Sequence, residues 1–224
     1  MRFRLILPAL VALVLIITAC APAPELRNDA LLHDNSLLTD TPCAIPCWNN
    51  ITPGETLWRD AVTIIEDDTR FSNVEFQNAD DSDAQLAAWQ EGDGQPCCQM
   101  ITRDGESVDQ LVLFTAPDIN LGQVLDTRGD PVYVVGTEFT DDQAVMNLFY
   151  PDTGLIVFAF VAGPENGTLS ASSEVVGLIL TTDDLMDEFI QASDLYHWDG
   201  LKSYLDYNSE EFDITAVPTA TPEN

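Results

Sequence analysis

The chain is 224 residues long and sets 38 acidic side chains against 8 basic ones, a formal net charge of −30 at pH 7. Such a field repels phosphate backbones and anionic headgroups, which excludes nucleic acid as a partner. Apolar residues make up 46% of the chain, enough for a packed core, so the acidity does not imply disorder throughout.

At the N-terminus Arg2 and Arg4 precede an apolar run from Leu5 to Ile17, broken only by Pro8, and the small pair Thr18-Ala19 stands before Cys20. About fifteen apolar residues fall short of the ~20 that cross a bilayer as a helix. Basic, apolar, then small is the order of a secretory signal peptide, here residues 1–19. A cysteine directly after that pair resembles the lipobox of bacterial lipoproteins. The resemblance implies that the Cys20 thiol takes a diacylglyceryl group and that Cys20 becomes the mature N-terminus. The partner is then the membrane, reached through lipid on Cys20, and the location is the cell membrane or outer envelope, facing away from the cytoplasm. One acyl chain binds marginally, so firm anchoring takes two. Cleavage removes two arginines and no acid, leaving 6 basic against 38 acidic residues, a net of −32.

Ala21-Pro22-Ala23-Pro24 opens a polar stretch that reads as a flexible tether over 20–41. A globular domain is expected over 42–206. Its first signal is Ile51-Thr52-Pro53-Gly54-Glu55-Thr56, a turn with Thr56 as helix cap, followed by Leu57, Ala61, Ile64 and Ile65 at helical spacing. A helix over 57–67 follows. Strands are expected over 74–77, 85–90, 98–102 and 108–115, separated by Glu91-Gly92-Asp93-Gly94 and Arg103-Asp104-Gly105-Glu106.

Ile119-Asn120-Leu121-Gly122-Gln123-Val124-Leu125 then repeats the opening in degraded form. It predicts a helix over 121–127 stopped by Gly129 and Pro131. Strands are expected over 132–135, 144–150, 155–161 and 174–181, with Pro151-Asp152-Thr153-Gly154 as a hairpin turn. A last helix over 183–192 takes Thr182 as its cap. The expected fold class is α+β, helices packed on antiparallel sheet, with repeats at 42–116 and 117–206. Residues 207–224, with the tract Val217-Pro218-Thr219-Ala220-Thr221-Pro222, form an extended tail.

With Cys20 lipidated, Cys43, Cys47, Cys97 and Cys98 remain. An even set outside the cytoplasm implies two disulfides. Neighbouring cysteines hold their Cα atoms closer than a bridge prefers. The expectation is therefore that Cys97 and Cys98 each join Cys43 or Cys47, in either combination.

Cys43-Ala44-Ile45-Pro46-Cys47-Trp48 followed by Ile51-Thr52-Pro53-Gly54-Glu55-Thr56 resembles bacterial lipoproteins with a Cys-x-x-Pro-Cys-Trp…Ile-Thr-Pro-Gly-x-Thr opening, a likeness that brings no activity with it. The Gly54-Glu55-Thr56 turn, Gly129-Asp130-Pro131 and a hairpin ending in Gly154-Leu155 look like the small lipoproteins of the BamE/SmpA type. That second resemblance implies a helix-plus-sheet fold, an envelope protein as partner and a scaffold role in outer-membrane protein assembly.

The Cys43–Cys47 spacing also fits a thiol redox or copper-handling loop, since copper(I) favours soft thiolates and a nearby histidine would complete the site, but His33 lies in the expected tether and His197 near the other end of the chain. A structural disulfide is the leading reading. The chain holds no Gly-x-Ser-x-Gly elbow and no His-Glu-x-x-His helix, so no catalytic residue is assigned and an enzyme is not expected. Asp80-Asp81-Ser82-Asp83 lacks the ligand spacing of a calcium loop, and neither a metal nor a cofactor is assigned. Trp48, Trp58, Trp89, Tyr196, Trp198 and Tyr204 are expected in the core or along its edges. The functional expectation is a lipid-anchored extracytoplasmic protein that binds or scaffolds without catalysis, its ligand unassigned.

Overall fold

A computed structural model describes residues 26–207. The expected signal peptide at 1–19, Cys20 and the expected tail beyond residue 207 lie outside the described residues. In chain order the elements are α1 (Ser36–Thr39), α2 (Trp58–Asp67), β1 (Phe71–Asn78), β2 (Gln85–Glu91), β3 (Pro96–Thr102), β4 (Gln110–Phe114), α3 (Leu121–Arg128), β5 (Tyr133–Thr140), β6 (Gln143–Tyr150), β7 (Leu155–Val161), β8 (Val175–Thr181), α4 (Asp183–Ala192) and β9 (Tyr196–His197).

The strands form one antiparallel sheet in the order β1-β2-β3-β4-β8-β7-β6-β5-β9. This corrects the α+β expectation: a nine-stranded sheet dominates, and the helices are few and short. Separate helix-on-sheet units over 42–116 and 117–206 would leave β4 and β8 as edges. Their runs Leu111-Val112-Leu113 and Leu178-Ile179-Leu180 are buried, and an apolar edge invites pairing. Joining them, with Leu113 opposite Leu178, removes both edges at once. Polar strand ends also lengthen the sheet. β1 and β5 run past the expected 74–77 and 132–135 because Asn78, Thr137 and Glu138 stay in register with their neighbours.

Several local signals act as expected. The Thr182 hydroxyl accepts from the Leu185 N–H at 3.5 Å and caps α4. Gly129 ends α3 at φ 80°, and Asn120 and Gln123 add a reciprocal capping box at its start that the sequence reading did not include. Gly154 closes the β6–β7 turn at φ 57°, where an added Cβ would sit 2.3 Å from the Thr181 carbonyl oxygen. Thr56 is not the cap of α2; that position is Leu57, with no side-chain cap bond. The Thr56 hydroxyl instead accepts from the Thr52 N–H at 2.8 Å and tightens the Pro53-Gly54 turn.

Each face of the sheet carries its own core. On the first, Leu111, Leu113, Val157 and Leu178 pack with Ala61 and Ile65 of α2 and Leu121 and Val124 of α3. On the second, Val112, Phe149, Ile156 and Ile179 pack with Met186 of α4. The tether expected over 20–41 does not hold for residues 26–41, which pack against the domain. Leu32 and Leu37 are fully buried in the first core. The Leu32 N–H donates to the Phe114 carbonyl at 3.2 Å, and the Ala116 N–H to the Leu32 carbonyl at 2.8 Å. Leucines separated by polar residues hide this role in the sequence.

Leu178 lies between Leu113 of β4 and Val157 of β7, so Leu178→Ala is expected to cost about 3–4 kcal/mol. Exposed Leu201→Ala should change stability by less than about 0.5 kcal/mol. Urea unfolding followed by fluorescence and circular dichroism checks both. The two probes should move together for the variant, because both meanders share the β4–β8 ladder; separate transitions would contradict a single cooperative sheet.

Candidate functional site

Beside the end of β4 the segment around α1 faces the loop that follows it, across a cleft of about 510 Å³. Leu32, held against β4, brings His33 to its wall. The His33 N–H donates to Glu91 Oε2 at 2.8 Å, and Nδ1 lies 2.7 Å from Asp118 Oδ2. Asp34 uses both oxygens. Oδ1 accepts from the Ser36 N–H and hydroxyl at 2.9 and 2.6 Å, which starts α1, and Oδ2 accepts from Trp48 Nε1 at 3.0 Å.

The opposite wall is a tight turn, Trp48-Asn49-Asn50-Ile51. Trp48 and Ile51 exchange backbone hydrogen bonds at 2.9 and 2.8 Å. Asn49 and Asn50 sit at φ 48° and 64°, the left-handed pair that asparagine tolerates in such turns. Asn49 Oδ1 accepts from Arg70 Nη2 at 3.0 Å, and the same guanidinium forks onto Asp68 with its shortest contact at 2.7 Å. Arg70 also lies over the Phe71 ring, 4.8 Å from its centroid. Beneath the cleft Trp48, Trp89 and Phe71 pack with centroids about 6 Å apart. A third support comes from α3, where Arg128 Nε donates to the Leu37 carbonyl at 2.8 Å and Nη2 pairs with Asp40. That guanidinium is mostly buried and fixes the C-terminal end of α1.

Ionisations at the cleft are shifted. The hydrogen bond to Asp118 raises the His33 imidazole above its ordinary 6.5, against a smaller lowering by burial, with the Asp118 and Glu91 charges also raising it. The Arg70 hydrogen bonds hold the Asp68 carboxyl below its ordinary 3.8. Acceptors therefore prevail in the cleft, and its two cations are already paired. Among the described residues His33 is hydrogen-bonded to Glu91 and Asp118 and to no hydroxyl or thiol. The arrangement holds hydrogen-bond acceptors in place.

The sulfur pairings correct the expected cross-links. Cys43 joins Cys47, Cα atoms 5.6 Å apart, and Cys97 joins Cys98. The two regions do meet, through indoles in place of sulfur: Trp48 follows Cys47 and stacks on Trp89, which stands opposite Cys98. The Cys43–Cys47 bridge closes the loop carrying Pro42 and Trp48 to the cleft. Cys97 and Cys98 are buried under the same core. Neither sulfur of the first pair is a thiolate in this state. Among the described residues no group of three or more His, Cys, Asp or Glu is placed to hold a metal, and no helix is long and apolar enough to cross a membrane.

Of the aromatics singled out from the sequence, Trp48, Trp58, Trp89 and Tyr204 are buried, while Tyr196 is 40% exposed and forms β9 with His197. Trp198 packs on the edge of the core. Sequence reasoning missed His33, Asp118 and Arg70 as cleft residues. The Asn49-Asn50 pair between two apolar residues was the one local signal for this wall. No family model matches the chain, and neither does any curated protein or solved structure.

Two outcomes follow from this geometry. Peptide mapping without reduction should find Cys43 bonded to Cys47 and Cys97 to Cys98; a peptide joining the two regions would refute these pairings. The ring of His33 should titrate by NMR above 6.5, and Asp118→Asn should return it towards the ordinary value. Because the folded value lies above the unfolded one, the pair's stabilisation is whole below the unfolded value and is lost as pH rises through the folded one. The pair is largely exposed, so its effect on overall stability stays small.

Proposed function

We propose that the protein is a lipid-anchored extracytoplasmic binding protein that holds a small, uncharged, hydroxyl-rich solute in the cleft between His33 and Arg70. The observation that carries this reading is the pre-organised polar lining. Asp34, Asp118 and Asn49 are each fixed by hydrogen bonds before any ligand arrives, so little ordering cost falls on binding. Carboxylate and amide oxygens accept from hydroxyl groups, while His33 and Asn49 also offer donors. The acidic field around the cleft disfavours anionic solutes. The lipobox-like ending at Cys20 supports the address, and the Cys43–Cys47 bridge suits a compartment in which sulfur pairs persist. Handling copper through Cys43 and Cys47 would first require reduction of that bridge.

Two measurements test the proposal together. Intact mass of protein from native cells should show a chain beginning at acylated Cys20; an unprocessed chain would remove the anchoring. A thermal-shift and NMR screen of neutral sugars and polyols should find at least one that moves the His33 and Asn49 resonances saturably. His33→Ala and Asp118→Asn should weaken that binding by about tenfold or more each. If no neutral polyol perturbs the cleft while small anions do, the assignment of ligand class is wrong.

A further inference from the structure

Residues 26–33 form a strap across one end of the sheet. The Leu26 N–H donates to Gln143 Oε1 at 2.9 Å, at the start of β6. Arg27 pairs with Glu174, directly before β8, and its guanidinium lies 5.2 Å from the centroid of the Phe160 ring near the end of β7. Asn28 Nδ2 donates to Gln95 Oε1 at 2.9 Å, and the Ala30 carbonyl accepts from the Gln95 N–H at 2.8 Å, just ahead of β3. Leu32 then bonds Phe114 at the end of β4, and His33 bonds Glu91 at the end of β2. Neighbouring strands are antiparallel, so the starts of β3, β6 and β8 and the ends of β2, β4 and β7 all lie at this one end.

The polar cleft belongs to the same end. Arg70 stands directly before β1, and Asp118 follows β4. The β6–β7 turn at Gly154 lies at the opposite end, about 23 Å away along the seven residues of β7. Six residue steps separate Cys20 from Leu26. A fully extended chain covers at most about 3.6 Å per step, so Leu26 stays within about 22 Å of Cys20 whatever path the chain takes. With lipid on Cys20, that short leash holds the strap and the cleft beside the headgroups, while the Gly154 end has no such attachment.

A ligand carried in the same bilayer meets the cleft at an effective concentration on the order of mM, without any new contact. A freely diffusing solute has no such advantage. The chemistry of the cleft is unchanged: Asp118, Asp34 and Asn49 present fixed acceptors, which suit hydroxyl donors, and the acidic field turns anionic phospholipids away. A cleft of about 510 Å³ has the size of a small-molecule site. We infer, on the reading that Cys20 is lipid-anchored and that the cleft takes a neutral hydroxyl-rich ligand, that this ligand is the uncharged sugar headgroup of a glycolipid in the anchoring membrane.

The mature chain beginning at Cys20 tests this without relying on native acylation. With Cys43–Cys47 and Cys97–Cys98 bonded, Cys20 is its remaining thiol and couples to a maleimide lipid in phosphatidylcholine nanodiscs. A gadolinium-bearing lipid in the disc should relax the Leu26 and Asp118 amides several times more strongly than that of Gly154. Monogalactosyl or monoglucosyl diacylglycerol in the disc should shift the His33 and Asn49 resonances saturably. Half-saturation is expected at a bulk concentration about tenfold below that needed by the free methyl glycoside of the same sugar. Asp118→Asn should weaken both titrations by about tenfold, and phosphatidylglycerol in place of the glycolipid should leave the resonances unmoved. Equal potency of free and disc-borne sugar would overturn the inference and leave the neutral-solute reading standing, as would stronger relaxation at Gly154. Shifts with phosphatidylglycerol alone, or with no sugar in either form, would remove both.

Discussion

Pairing of β4 with β8 is the constraint on which the rest of the structure depends. These strands lie far apart in the chain, and closing so long a loop costs entropy that local contacts do not repay. The return comes from burial. Leu111, Leu113, Leu178 and Leu180 reach one core while Val112 and Ile179 reach the other, so one ladder supplies both faces. With β4 central, its end becomes the docking place for Leu32, and Leu32 sets where His33 stands. Displacing the ladder would therefore move the cleft wall as well as the core.

The cleft is rigid for reasons separate from the sheet. Its two walls come from segments with almost no regular structure, and three devices replace the missing ladders. A short covalent loop, Cys43 to Cys47, limits the path into Trp48. The Trp48 indole is pinned from one side by Asp34 and packed from beneath by Trp89. Arg128 holds the α1 carbonyls, a mostly buried charge that has its acceptors and its counter-ion in place. Polar lining fixed in this way would lower the ordering cost of the binding proposed for the cleft.

Much of the element pattern was legible because it is local. The last helix announces itself by Thr182 and by Leu185, Phe189 and Ile190 at helical spacing, and β7 by its unbroken apolar run. Strand order was not legible: Leu113 opposite Leu178 is a long-range choice that no short window records. The site was hidden for the same reason, since His33 meets Asp118 across 85 positions. A second failure was of inference. Keeping Cys97 and Cys98 apart seemed required by bridge geometry, yet stacked indoles took the role assigned to cross-linking sulfur. The tether was misjudged because composition alone cannot tell a solvated leucine from one that covers a core.

The scarcity of free cations supports the proposal of a neutral solute for the polar cleft. Every lysine and arginine among the described residues is paired with a carboxylate: Arg27, Arg59, Arg70, Arg103, Arg128 and Lys202 each meet an aspartate or glutamate. No unpaired cation is therefore presented by them to an anionic ligand, and the remaining acidic surface repels one at longer range. Neutral solutes escape that field. Under that proposal recognition rests on short-range contacts, hydroxyl to carboxylate in the polar cleft. Those contacts are little affected by salt, whereas any binding that relied on the net charge would fade as ionic strength rises.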